Sequence, residues 1–242
     1  MPGGRRRLIV RVPERVVTLS FDNGPEKGVT PFVLDVLKDR QATANFFVVG
    51  DRLRRTEGRA ASDRALEEGH RIGGHTMTHS VPIGLLDEPE ARREITGTDE
   101  LIGELGHPDR LWRPYGKGGV IDDSIVGPIG ARMLVHGRYT CVLWTSVPLD
   151  WIEPDAWVDR ALADVESTEW SVVVLHDLPT GAMDHLPRFL DELNHRGVEV
   201  RTDTPDSCTP LRRGVPTESI GQLGRAAAAA ASDAAATAAA SR

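Results

Sequence analysis

Cysteine is almost missing from this sequence: Cys141 and Cys208 are the two present in 242 residues. A disulfide-framed fold and a cysteine-rich metal site are thereby excluded, because an isolated pair without metal-type spacing can build neither. Cys141, inside Tyr139-Thr140-Cys141-Val142-Leu143-Trp144, is expected to be a buried strand residue and not a nucleophile. Long hydrophobic runs are missing too. No stretch could span a bilayer, and Arg11, Glu14 and Arg15 interrupt the apolar residues after Arg5-Arg6-Arg7. No secretory signal is visible, which makes the cytoplasm the expected location. A basic excess is also lacking. The net charge of -7 argues against a phosphate-tracking, nucleic-acid-binding surface, and Arg5-Arg6-Arg7 reads as a solvated terminus.

What the chain does hold is a series of polar residues placed at the ends of short apolar runs. Val16-Val17-Thr18-Leu19-Ser20-Phe21 is rich in β-branched residues and ends in Asp22-Asn23-Gly24-Pro25, where Asn-Gly marks a turn. A carboxylate is therefore set at the C-terminal mouth of a strand. In His75-Thr76-Met77-Thr78-His79 the two histidines are four apart, a spacing from which two imidazoles can converge on one ion. Further along come Trp112-Arg113-Pro114-Tyr115-Gly116, then Leu149-Asp150-Trp151, then Val174-Leu175-His176-Asp177. Each segment alone has a plainer reading: an Asx turn, a surface pair of histidines, a structural ion pair for Arg113, ordinary core for Trp151, a satisfied histidine for His176.

Taken in order, the segments resemble the polysaccharide deacetylases of the NodB homology type, carbohydrate esterase family 4, over about residues 16–200. The resemblance implies that Asp22 is the general base, that His75 and His79 are metal ligands, and that Arg113 holds the base. It implies that the backbone N–H of Tyr115 helps bind the oxyanion, that Asp150 orients His176, and that His176 is the general acid. Trp151 falls in the same motif as Asp150, and Val174 stands where a leucine usually lines the acyl pocket. Three departures accompany it. Asn23 occupies the place of a ligand aspartate, the usual RPPY is one residue shorter here, and Val147 replaces the first Asp of DxxDW.

A chain of this length with 40% hydrophobic residues can bury one sizeable core. The alternation of strand-like and helix-like segments predicts an α/β fold, a distorted (β/α) barrel of about seven parallel strands. Strands are expected at residues 16–21, 45–49, 71–74, 111–113, 139–145, 172–175 and 198–200, and helices at 31–40, 53–68, 89–105, 122–135, 154–165 and 186–195. The named polar residues then fall at strand C-termini, where parallel barrels build active sites. Residues 1–15 read as an N-terminal extension, 16–205 as the catalytic barrel and 206–242 as a C-terminal extension. Its alanine-rich tail favours helix but lacks large apolar groups to anchor it, so a frayed helix or disordered appendage is expected. His70, His107, His136, His185 and His195 have no motif partner and are expected on the surface or in loops.

Chemically, two neutral imidazoles and one oxygen ligand leave a divalent ion open positions for water and a carbonyl. Zinc is the first expectation, with cobalt, nickel or manganese as alternatives. A carboxylate can take the proton of the attacking water and an imidazole can return one to the leaving amine. The amide oxygen of Asn23 is a weaker ligand than a carboxylate. The site could hold metal weakly and work, recruit Asp22 as a ligand, or dispense with metal as in allantoinase-like relatives. The expected activity is metal-dependent hydrolysis of an amide bond, N-deacetylation of an amino sugar or chitooligosaccharide. The alternatives are a metal-independent hydrolase of a small non-sugar amide and an impaired, carbohydrate-binding derivative of the fold. The expected partner is a small carbohydrate or other N-acyl substrate, with no nucleic acid and no membrane.

Overall fold

The computed structural model describes residues 15–240; Arg5-Arg6-Arg7 and the rest of the expected N-terminal extension up to residue 14 lie outside the described residues. In chain order the regular elements are β1 (Val16–Asp22), α1 (Val29–Asp39), β2 (Asn45–Val48), α2 (Gly50–Leu53), α3 (Thr56–Glu67), β3 (Arg71–Gly74), α4 (Glu88–Ile102), β4 (Leu111–Trp112), α5 (Gly127–His136), β5 (Thr140–Cys141), α6 (Trp157–Ser167), β6 (Trp170–His176), α7 (Leu186–His195), β7 (Glu199–Arg201), β8 (Leu211–Arg212), β9 (Val215–Pro216) and α8 (Arg225–Ala240). The seven parallel strands are the expected ones. They curl in the order β6-β1-β2-β3-β4-β5, with β7 paired to the N-terminal half of β1.

Regular pairing is uneven around this barrel. β1 and β6 run side by side through seven register pairs, from Val16 beside Trp170 to Asp22 beside His176. The fifth strand was expected to continue to residue 145, yet only Thr140–Cys141 is regular. Beyond it the backbone still closes the sheet on β6: Thr145 and Ser146 donate to the Val172 carbonyl, and the Val174 N–H donates to the Ser146 carbonyl. The core has two main parts. One packs α1, α6 and α7 on β1 and β6, with Trp157 and Phe189 meeting edge to face at 5.2 Å. The other gathers Trp112, Tyr139 and Cys141 with α4, α5 and α8. Buried Cys141 behaves as expected of a strand residue.

Three expectations are corrected. The helix expected at 122–135 starts at Gly127 because Gly127 has a φ of 65° and lies against Gly84, where a Cβ would come within 2.6 Å of the Gly84 Cα; Pro128 then occupies the first turn. The barrel unit does not stop at 205, since β8 pairs antiparallel with β5 and β9 with β8. The tail is not a disordered appendage. Residues 225–240 form α8, which packs along α5 and buries Ala227, Ala231 and Ala234. Alanine lacks size, but its small side chain lets two helices approach closely, and three methyls spaced along one face suffice to dock it. Among the described residues no helix is long and apolar enough to cross a membrane.

Removing residues 225–242 should therefore lower the melting temperature. Three buried methyls at about 0.8 kcal/mol each give a loss of about 2 kcal/mol, or roughly 4–8 °C for a chain of this size. A calorimetric scan of the truncated protein showing an unchanged midpoint would contradict the docking.

Candidate active site

Asp22, Asn23, His75, His79, Tyr115, Trp151, Val174 and His176 line one cleft of about 210 Å³ at the C-terminal mouth of the strands. Arg113 and Asp150 stand immediately behind it, both without exposed surface. The fold thus brings together all ten residues singled out from the sequence. Asp22 ends β1, and its Oδ1 accepts a hydrogen bond from Arg113 Nη1 at 2.7 Å. Burial is the largest single influence and would raise the Asp22 carboxyl, but Arg113 together with the nearby His75 and His176 outweighs it and holds the group below its ordinary value. Arg113 is itself fixed by Ser20 Oγ at 2.7 Å, by the Val142 and Leu143 carbonyls, and by the face of Phe47, 4.0 Å from the guanidinium carbon.

His75 leaves β3 with its Nδ1 3.0 Å from the Arg113 carbonyl. A carbonyl can only accept, so Nδ1 carries the proton and the Nε2 lone pair faces the cleft, 3.6 Å from Asp22 Oδ2. The His79 ring lies 4.7 Å from the His75 ring and 4.2 Å from the Tyr115 ring. Burial pushes His75 below its ordinary value and His79 down to about 3, so both imidazoles are neutral. Asn23 Oδ1 is buried and has no hydrogen-bond partner. An unpaired buried acceptor beside two neutral imidazoles is a donor set that fits a divalent cation. Among the described residues no trio drawn from His, Cys, Asp and Glu is arranged to hold an ion, so an ion here would depend on this amide oxygen.

On the opposite wall, His176 is paired with Asp150 twice: Asp150 Oδ1 lies 2.9 Å from Nδ1, and Oδ2 accepts from the His176 N–H at 2.8 Å. Burial alone would lower this imidazole, but Asp150, Asp22 and Asp177 together raise it above 6.5. Trp151 meets the ring edge to face at 4.6 Å. The cleft therefore holds an ionised carboxylate and an imidazole biased toward its protonated form at the same level of adjacent strands.

The sequence of a peptidoglycan-N-acetylglucosamine deacetylase of Bacillus cereus is 30% identical to this chain over 199 residues, covering 78% of this chain and 86% of that one. The chain belongs to the polysaccharide deacetylase family. The family's own sequence pattern matches residues 10–126. By this membership the chain is a hydrolase of the carbohydrate deacetylase class. A family 4 acetyl xylan esterase from Clostridium thermocellum, solved with a cobalt ion, superposes with a TM-score of 0.63 at 25% identity, covering 77% of this chain and 87% of that one. A family 4 carbohydrate esterase from Streptomyces lividans shares the fold, with a TM-score of 0.66 at 22% identity over 85% of this chain and all of that one.

Several residues of this polysaccharide deacetylase's cleft were not singled out from sequence. Trp144 and the glycine-rich turn at 116–119 form one wall, with Trp144 Nε1 donating to the Gly119 carbonyl at 2.9 Å. Val147, noted above only as a departure, lines the same wall. Asp177, buried beneath the turn that carries Asn23, accepts from Thr30 Oγ1 and lies against Gly24; burial pushes its carboxyl up to about 7. The adjacency of Asp177 to His176 was a usable signal; Trp144 sits in a strand-like run and offered none. His70 lies in a loop, one of the two places expected for it, but not at the surface. His70 is buried, its Nδ1 accepting from the Ala44 N–H at 3.2 Å and its ring edge against Phe46, because it fills the join between α3 and β3.

Replacing Asp150→Asn should lower the His176 titration midpoint in an NMR titration of its ring protons. The sign also fixes a stability window: a folded value raised above 6.5 adds stability that is complete below 6.5 and is lost as pH rises through the folded value. The variant should lose that contribution. A midpoint unchanged from the parent would mean that Asp150 does not set the charge of His176.

Proposed function

We propose that the protein removes an acetyl group from an N-acetylated amino sugar, hydrolysing the amide with Asp22 as base and His176 as acid. The observation that carries this reading is their shared level on β1 and β6 with opposite charge bias, Asp22 biased toward its ionised form beside Arg113 and His176 toward its protonated form beside Asp150. Such a pair, with values pushed apart by their surroundings, can take a proton from attacking water and give one to the departing amine.

Asn23, His75 and His79 would hold a divalent ion, zinc or one of cobalt, nickel and manganese. Bound there, the ion supplies Lewis-acid polarisation of the substrate carbonyl and acidifies water. Arg113 keeps Asp22 deprotonated and aimed. The Tyr115 backbone N–H is assigned to the developing oxyanion. Val174 and Trp151 offer an apolar wall to the acyl methyl, and Trp151 keeps the His176 ring upright. The peptidoglycan deacetylases among the relatives support a sugar substrate. The chain spans 40% of the Listeria monocytogenes peptidoglycan-N-acetylglucosamine deacetylase that it matches at 28% identity, and an N-acetylglucosamine oligomer is the substrate proposed here. An amide oxygen in place of a carboxylate weakens affinity but leaves a bound ion its full charge.

Acetate release from chitooligosaccharides, measured beside bound metal with and without chelator, tests this. Asp22→Asn should reduce turnover about a hundredfold or more with the fold intact; activity within a few-fold of the parent would remove Asp22 as base. Asn23→Asp should raise metal affinity in calorimetry, since it adds a negative oxygen at nearly constant size. Chelator-resistant turnover without bound metal would favour a metal-independent hydrolase. A parent that binds chitooligosaccharide without releasing acetate would favour the impaired carbohydrate-binding derivative.

A further inference from the structure

The loop carrying the two imidazoles adopts a backbone that its own residues resist. Thr76 and His79 have φ of 61° and 53°, in the left-handed region that is especially unfavourable for a β-branched threonine. Such strain persists only where the surroundings over-determine it. On one side the N-terminus of α2 does so: Gly50 N–H donates to the Thr76 carbonyl at 3.0 Å and Asp51 N–H to the Met77 carbonyl at 2.9 Å.

On the other side stands Glu94, which α4 buries to 6% exposure. One carboxylate oxygen accepts from the Met77 N–H at 2.9 Å and the Thr78 N–H at 3.0 Å, and the other accepts from Thr78 Oγ1 at 2.9 Å. Other acids of α4 serve its own termination or its surface: Glu90 closes the N-terminal capping box, Glu88 pairs with Arg92, and Asp99 pairs with Arg110. A carboxylate at position 94 is costly to bury, and an apolar residue would pack the helix more cheaply. All three of its hydrogen bonds go to Met77 and Thr78, between the histidines. The Met77 side chain is meanwhile wedged between Gly50 and Gly97, where added Cβ atoms would come within 2.5 Å of Sδ and 2.8 Å of Cε.

We infer that Glu94 is a positioning residue of the metal site, fixing the spacing and aim of His75 and His79 by holding the Met77 and Thr78 backbone between them. This role rests on the assignment of the two imidazoles as ligands. Without the carboxylate, two N–H groups lose their acceptor, and the strained φ of Thr76 and His79 is left to the α2 bonds and to the His79 N–H that donates to Thr76 Oγ1 at 3.1 Å, so that the His79 ring is held less firmly beside His75.

Zinc affinity, measured by calorimetry on metal-free protein, separates this from a general packing role. The samples are the parent, Glu94→Leu, Thr78→Val and His79→Ala, each with the melting temperature of its metal-free form. The parent should bind one equivalent of zinc and His79→Ala should lose it. Glu94→Leu, which leaves both N–H groups without an acceptor, should weaken binding about 10- to 100-fold while folded at the assay temperature, and Thr78→Val, which removes one bond of three, should weaken it a few-fold. A lowered melting temperature with zinc affinity within about twofold of the parent would overturn the role of Glu94 alone. A parent that binds no zinc would overturn the ligand assignment and Glu94 with it. Should Glu94→Leu not fold, Thr78→Val decides: a few-fold loss supports the inference and an unchanged affinity defeats it.

Discussion

Arg113 has no exposed surface, and its guanidinium reaches Asp22 on β1, Ser20 two residues before it, and the backbone that leaves β5. Its own carbonyl orients His75 after β3. One side chain and its peptide unit therefore join three strands at the mouth of the cleft. A buried ion pair of this kind contributes little net stability, because desolvation offsets attraction, yet removing one partner strands the other at a cost of about 3–5 kcal/mol. The pair is better understood as setting charge and direction. It helps to hold below its ordinary value a carboxyl that burial alone would raise.

The rest of the cleft follows the same logic with the sign reversed. Asp150 is as deeply buried as Arg113, and it grips both the ring and the backbone N–H of His176. Asp22 and His176 thus each have a fully buried partner of opposite charge behind them, away from the cleft. The neutral imidazoles of His75 and His79 form a third, uncharged sector, which suits a cation and would not suit a protonated histidine pair. Asn23 belongs to that sector: its buried, unpartnered oxygen is an unsatisfied acceptor in a place where an acceptor has a use.

Much of this could be read from the sequence because the informative residues sit at the ends of β1, β3 and β6, where a short apolar run and its following polar residue identify themselves. The seven parallel strands were legible for the same reason. What escaped depended on contacts between distant segments. The break of the helix at Gly127 comes from its approach to Gly84, the docking of α8 from the surface of α5, and the burial of His70 from a gap between α3 and β3. Glu94 shows the limit most clearly. In the sequence it is one acid among several on an amphipathic helix, and only the packing of α4 against the histidine loop distinguishes it. The cleft wall at Trp144 was hidden because a strand pattern does not say which side chain faces the mouth.

The uneven pairing of the barrel has a consequence for how such a protein can change over time. Asp22 and His176 ride on the long, regular β1–β6 ladder, whereas the wall with Trp144 and Val147 belongs to an irregular seam held to β6 by a few backbone bonds. Regular ladders resist insertion, since a one-residue slip would turn every side chain over. Irregular segments absorb added or lost residues. Drift in chain length and sequence can therefore accumulate on that wall of the cleft while Asp22 and His176 stay in register, so that the shape of the cleft can change without disturbing the pair.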